Sequence, residues 1–276
     1  MFTKGKKMAL VTGASSGMGK AIAKRLIQDG YQVYVAARSV DKMADLAQLG
    51  AQPLRMDVSK DEEIIAGVNT ILAQTSGVDV LVNNAGFGLY GPVEEIGIDE
   101  ARYQFEVNLF GAARLTQLLL PTMRAKRSGY IVNITSMGGK MYSILGAWYH
   151  ATKHALEGWS DCLRLEVSEF GIKVVIVEPG VIETGFGDVA TDSIVKRSAI
   201  GPYGRLVQMV AQSIKNTYGH GTGSDPRVIA DVVSKAVASS KPNTRYAAGK
   251  FAKMLIHMRI WLGDRMFDRI ILSQTR

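Results

Sequence analysis

Tyr149 and Lys153 stand four residues apart in a stretch of helical periodicity, so both side chains leave one helix face. A phenol and an ammonium that look into one cavity form an acid/base device. The hydroxyl can give a proton to an oxygen becoming an alkoxide, or remove one from an alcohol. A free phenol titrates near pH ~10 and is a poor base at neutral pH. A cation at ~4 Å, with an effective dielectric of ~20, is worth about 4 kcal/mol. That could lower the phenol by as much as about three pH units before burial pushes back. Taken alone, the pair reads more simply as an exposed couple on a helix. A second signature, Gly13-x-x-x-Gly17-x-Gly19, lies between an apolar run and a helical one, with Ser15, Ser16 and Met18 inside it. Glycines at such a junction let the backbone approach a pyrophosphate and let the helix N-terminus aim N–H groups at it. A Gly/Ser-rich turn without a ligand is the plainer alternative. His150 and His154 are also at i, i+4, one position further round the helix. No carboxylate motif accompanies them, and no metal is expected.

The elements that must hold these groups follow from patterning. Apolar, β-rich runs predict strands at 8–11, 31–37, 53–56, 78–82, 130–134 and 173–177, with a further short one at 245–247. Helical spacing predicts helices from Ala21 to a stop at Asp29-Gly30, and at 40–49, 61–74, 100–124, 147–170, 206–213 and 228–238. Strands alternating with helices imply a parallel sheet covered on both faces. Right-handed crossovers then give an α/β, doubly wound, Rossmann-type architecture that binds ligands outside the carboxyl ends of its strands. Each motif above and below sits just after a strand or opens the helix that follows. With no repeat or linker, 1–276 reads as a single domain. The weakly patterned stretch 181–203 reads as a long loop, uncommon unless it is a lid, so 181–223 is expected to roof a substrate pocket.

Taken in order, the motifs resemble the short-chain dehydrogenase/reductase family. The Gly13 turn matches its TGxxxGxG form, Asn83-Asn84-Ala85-Gly86 its NNAG, and Asn108, Ser136 and Tyr149-x-x-x-Lys153 follow, then Pro179-Gly180 and Thr184. The resemblance covers about residues 8–185 well. It implies an NAD(P)-dependent enzyme acting on CH–OH groups, in which Lys153 also holds the nicotinamide ribose. Ser136 would bond the substrate oxygen, and Asn108 would hold a water linking Lys153 to solvent. By the same resemblance, Asn84, Ala85 and Gly86 wall the adenine side and Asp57-Val58 contact the adenine; Asn83 reads as a structural strand end. An acid at the end of the second strand pairs the ribose hydroxyls of NAD, whereas a base tolerates a 2′-phosphate. Here Ala36-Ala37-Arg38-Ser39 offers no carboxylate, so NADP (NADPH) is expected. The segment 85–92 and the tail look most like the 17β-hydroxysteroid and retinol dehydrogenase-like branch, which implies a lipophilic alcohol or ketone. A keto-acyl-thioester reductase is the second enzyme reading, and an NADP-sensing regulator or scaffold the non-enzyme one. The resemblance also implies a homodimer or homotetramer built on the two long helices.

Composition narrows the classes. Hydrophobic residues at 47% and charged residues at 21% fit a globular chain with a sizeable core rather than a disordered one. The lone Cys162 cannot form an internal disulfide, and the start has no signal-like apolar run, so a cytoplasmic, reducing setting is expected. The net charge of +8 is carried by Lys4, Lys6 and Lys7 and by 241–276, leaving a near-neutral body. Without a basic, aromatic-rich groove or Cys/His fingers, nucleic acid is not expected as a partner. In the tail, 250–276, Phe251, Met254, Leu255, Met258, Trp261 and Leu262 recur at one-face helical spacing among basic residues. Two readings stay open: a helix packed on protein, or an interfacial helix resting on anionic lipid.

Overall fold

Strands β1 (Met8–Thr12), β2 (Gln32–Ala37), β3 (Gln52–Arg55), β4 (Val80–Asn83), β5 (Gly129–Ile134), β6 (Ile172–Pro179) and β7 (Arg245–Ala248) pair in parallel in the order β3-β2-β1-β4-β5-β6-β7 in the computed structural model. It describes residues 5–219 and 221–273. Lys4, His220 and Arg276, which belong to the expected basic start, roof and tail, lie outside the described residues. The central strands read as continuous apolar runs because both faces are covered; all five residues of β1 are buried. Alternate residues serve opposite cores. Ala9 and Val11 pack with Ile22 and Leu26 of α1 (Gly17–Gln28) and Ile229 and Val233 of α9 (Arg227–Ala238). Met8 and Leu10 face the other core, with Ile71 of α3 (Asp61–Gln74) and Leu115 of α5 (Gly111–Lys126). The chain order reverses direction beside β1, between β1 and β4, and the carboxyl ends of these strands open a cleft there.

Four expectations need correction. The helix read at 40–49 is a 3₁₀ turn (Asp41–Met43) followed by the short α2 (Ala44–Gln48). The single helix read at 100–124 is α4 (Ile98–Phe105), a π-helical turn (Glu106–Phe110) and then α5. The reading at 147–170 holds for α6 (Ala147–Glu166), which ends in a 3₁₀ turn (Ser168–Phe170). The stretch read as a loop at 181–203 contains α7 (Phe186–Ser198), which packs on α8 (Gly204–Tyr218) by burying Ala190 and Ile194 against Val207 and Val210. This amphipathic fit needs a partner helix that local pattern does not reveal.

The tail forms α10 (Ala252–Ser273), broken at Gly263, whose φ of 66° is non-helical. It buries Ala252, Ile256, Phe267 and Ile271. Of the face expected from spacing, Leu255 and Met258 pack on the body, while Trp261 is 79% exposed. No helix among the described residues is long and apolar enough to cross a membrane.

Candidate active site

The Gly-rich turn is pressed against the end of β4. A Cβ on Gly19 would sit 2.4 Å from the Gly13 carbonyl oxygen and 2.5 Å from Asn84 Nδ2. Gly13 has a φ of +66° and a Cβ there would meet Ala85 Cα at 2.9 Å. These two glycines are therefore required by close packing of the turn on the Asn84-Ala85 loop. Thr12, not singled out from sequence, is the latch. Its Oγ1 accepts from the amides of Asn84 and Ala85, both at 3.0 Å, and Asn84 Nδ2 donates to its carbonyl at 2.9 Å. Gly17 (φ +53°) faces Thr184 across the cleft, where a Cβ would be 3.1 Å from Cγ2.

At the N-terminus of α1, Ser16 makes no side-chain cap and the first turn has no acid. In contrast, α3 carries Asp61, Glu62 and Glu63 in its first turn. The α1 end thus keeps free amides and positive dipole where an anion could dock. The cleft in front of it has a volume of ≈ 660 Å³. Its walls bring together nearly the whole expected cofactor set: Gly13 and Ser15 to Gly19, Arg38, Asp57 and Val58, Asn84 to Gly86, Tyr149, Pro179, Gly180 and Thr184. Lys42 and Tyr103, which sequence reading missed, also line it; the Tyr103 hydroxyl is 3.3 Å from Arg38 Nη1. Burial pushes the Asp57 carboxyl up, but hydrogen bonds from Ser59 and the charges of Arg38 and Lys60 hold it below its usual value.

Asn108 and Lys153 lie behind this wall. A Cβ on Gly86 would meet Asn108 Oδ1 at 3.1 Å and Lys153 Nζ at 3.6 Å, so the three expected positions converge at one point. Asn108 sits in the π-helical turn. Its Nδ2 donates to the Phe87 carbonyl at 2.9 Å and Thr152 Oγ1 at 3.0 Å, and its Oδ1 accepts from the Phe87 amide at 3.0 Å. Its side chain thus anchors the Phe87 backbone, with both donors spent on protein. The Lys153 ammonium donates to the Ile134 carbonyl at 3.0 Å.

A second, apolar pocket of ≈ 420 Å³ opens on the other side of the same wall. Ser136 and Tyr149 line both cavities. The residue model for short chain dehydrogenases matches 7–193. The chain belongs to the short-chain dehydrogenase family. It is 33% identical, over 95% of each chain, to a 3-ketodihydrosphingosine reductase of Bacteroides thetaiotaomicron. Among solved structures it is similar to a short-chain dehydrogenase of Streptomyces avermitilis, with 35% identity and a TM-score of 0.82 over 99% of this chain and 96% of that one. It is also similar to an actinorhodin polyketide ketoreductase crystallised with NADPH, with 32% identity and a TM-score of 0.75 over 89% and 96% of the two chains.

In this short-chain dehydrogenase, the expectation that Lys153 lowers the Tyr149 phenol is reversed. Burial pushes Tyr149 up to about 12, only partly offset by a hydrogen bond with Ser136. Burial likewise brings Lys153 down to about 8, against the pull of Glu157. Desolvation disfavours both charged forms, and the sheltered wall outweighs the attraction anticipated from spacing. The ring of Tyr149 is held by Tyr90 and Phe186, each with its centroid 5.5 Å away. Tyr218 stacks on Phe186 at 5.7 Å and lines both cavities. These aromatic partners come from distant segments, and no local spacing signals them.

His150 is a positioning residue. The Ser143 amide donates to Nε2 at 3.0 Å, so Nδ1 carries the proton and faces the Gly138 carbonyl at 2.9 Å. Burial lowers it to about 4, and the ring is neutral near pH 7. It ties the Ser136–Gly138 loop to the Ser143 loop at the pocket wall. Ser136 Oγ accepts from the Gly138 amide at 3.0 Å, leaving its hydroxyl proton to donate elsewhere.

Proposed function

We propose that this enzyme reduces a lipophilic ketone to an alcohol with NADPH. The observation that carries the reading is the placement of Ser136 and Tyr149 on the border shared by the two cavities. The glycine turn, the uncapped α1 and the cleft before it fit a dinucleotide, and Arg38, Ser39 and Lys42 along its wall suit a 2′-phosphate. When bound, the dihydronicotinamide supplies a hydride. Ser136 would donate to the carbonyl oxygen and orient it. The Tyr149 hydroxyl would give that oxygen its proton. Lys153, fixed behind them, would hold the ribose and keep positive charge beside the site. Gly86 leaves room for this contact. A side-chain relay from Asn108 is disfavoured by its protein partners, and we assign it to anchoring Phe87.

The lining of the second pocket supports a lipophilic substrate: Ile144, Val181, Val210 and Ile214 line it with Met254 and Leu255 of α10. The roof expected at 181–223 therefore supplies only part of the wall. The Bacteroides relative is named a 3-ketodihydrosphingosine reductase, which supports a ketone as the group reduced. Exposed Ile98, Phe110 and Leu165 on α4, the π-helical turn and α6 support association through the long helices, as a homodimer or homotetramer.

A homologous series of ketones with lengthening alkyl chains tests the reading. Each buried methylene is worth about 0.8 kcal/mol, or about fourfold in kcat/KM, until the pocket is filled. Acyl thioesters of matched length should show no advantage over free ketones. A flat response to chain length, or turnover confined to thioesters, refutes the lipophilic-ketone assignment.

The two directions should differ in pH dependence. With Tyr149 near 12 it keeps its proton through neutral pH, so the acid for reduction is present at every pH well below that value. Reduction should stay level and then decline as Lys153 loses its charge above about 8. Oxidation needs the phenolate, whose fraction rises about tenfold per pH unit below the phenol's pKa. Alcohol oxidation should therefore climb from pH 7 to 9. Initial rates in both directions decide this; a bell centred near pH 6 to 7 in each would point to another acid/base group.

A further inference from the structure

We infer that the outer face of α10 is a docking surface for an anionic lipid bilayer. Around the break at Gly263, Ile260 is 63% exposed, Trp261 79%, Leu262 40% and Met266 47%. These are large apolar groups on consecutive turns, and a contiguous apolar patch of this kind marks an interaction site. Charge identifies what covers it. Asp264 is paired by Arg259, whose guanidinium also stacks over Tyr142, and Asp268 accepts from the Tyr142 hydroxyl. Both acids of the helix are thus engaged, Asp264 within the helix and Asp268 by the body. Lys253, Arg265 and Arg269 are exposed and have no ion-pair partner among the described residues. The face presents free cations beside exposed tryptophan and aliphatic side chains, the pattern of a helix lying in an anionic interface.

A second copy fits this surface poorly. A two-fold contact sets the same patch against itself, which would bring its three unpaired cations toward their own duplicates. Acidic lipid headgroups neutralise them instead. The surface is also continuous with the apolar pocket. Phe251 and Met254 line that pocket and are 41% and 50% exposed at the start of the same helix. A bilayer beneath Ile260 to Leu262 would lie close to the pocket's rim. Docking itself rests only on the helix face and stands apart from the substrate assignment.

The test is co-sedimentation of the full chain with phosphatidylcholine vesicles, with and without phosphatidylserine. Binding should require the anionic lipid and fall steeply with salt. A basic residue near such a leaflet contributes about 1 kcal/mol, or about fivefold. Replacing Lys253, Arg265 and Arg269 together by Gln should weaken binding on the order of a hundredfold. Trp261→Ser should weaken it further, and vesicles should shift the fluorescence of the wild type but not of Trp261→Phe. None of these residues lines either cavity, so melting temperature and turnover of a short, water-soluble ketone should be retained. Failure of the wild type to bind anionic vesicles overturns the inference while leaving the ketone activity intact. Conversion of a wild-type dimer to monomers by Trp261→Ser, in lipid-free buffer, overturns it in favour of a protein partner.

Discussion

Tyr149→Phe is expected to lower ketone turnover by about 10³- to 10⁴-fold, the upper range for loss of a general acid. The phenyl ring keeps its place, because Tyr90 and Phe186 hold it through its faces and edge rather than through the hydroxyl. The removed oxygen is a buried polar atom whose contact is with Ser136, so the substitution should leave the melting temperature unchanged or slightly raised. NADPH affinity should also be largely retained, because the Gly-rich turn, α1 and Arg38 lie elsewhere in the cleft. The combination separates chemistry from binding. Steady-state kinetics, cofactor titration and thermal melting of the same preparation provide the check. Near wild-type turnover in this variant excludes Tyr149 as the proton donor.

The second large effect concerns cofactor choice. Arg38 follows the last residue of β2 and its guanidinium reaches the Tyr103 hydroxyl at 3.3 Å. A charge-assisted hydrogen bond from such a group to a 2′-phosphate is worth about 1.5–3 kcal/mol, or roughly 10- to 150-fold in affinity. Arg38→Ala should weaken NADPH by that factor and leave NADH nearly unchanged. Lys42 lines the same end of the cleft, so some preference for the phosphate should survive, and Arg38→Ala with Lys42→Ala should remove it. Titrating both nucleotides against each variant measures this. Equal losses for the two cofactors would show that Arg38 does not read the phosphate.

Much of this was legible from residue order because the signals are local. The helix expected at 61–74 is α3 to the residue: acids fill its first turn, and Ile64, Val68 and Ile71 recur on one face. The parallel sheet was legible because strands covered on both faces must be apolar throughout. The glycine turn was legible because its close packing on the Asn84-Ala85 loop demands glycine at fixed points. The π-helical turn was invisible, since five residues of shifted hydrogen bonding leave the apolar pattern of 100–124 intact. Asn108 shows what that turn does, by tying its side chain to Phe87, 21 residues away. Helix α7 was missed because its apolar stripe is weak until α8 lies against it.

The electrostatics were decided by tertiary structure alone. Spacing puts Tyr149 and Lys153 on one face and so suggests an attraction that lowers the phenol. How far burial raises it depends on Tyr90, Phe186 and Tyr218 closing around the ring, and these lie 59 residues before and 37 and 69 after it in the chain. The pocket is settled in the same way. Periodicity assigns the tail one apolar face, but the break at Gly263 and the fit of Phe267 against Tyr142 divide it into a buried side and an exposed side. The sequence by itself determined the order of the strands, the glycine turn and the placing of Tyr149 and Lys153 on one helix face, because each is written in neighbouring residues. The protonation of that pair and the walls of its pocket depend on which distant side chains exclude water, and only the folded chain decides that.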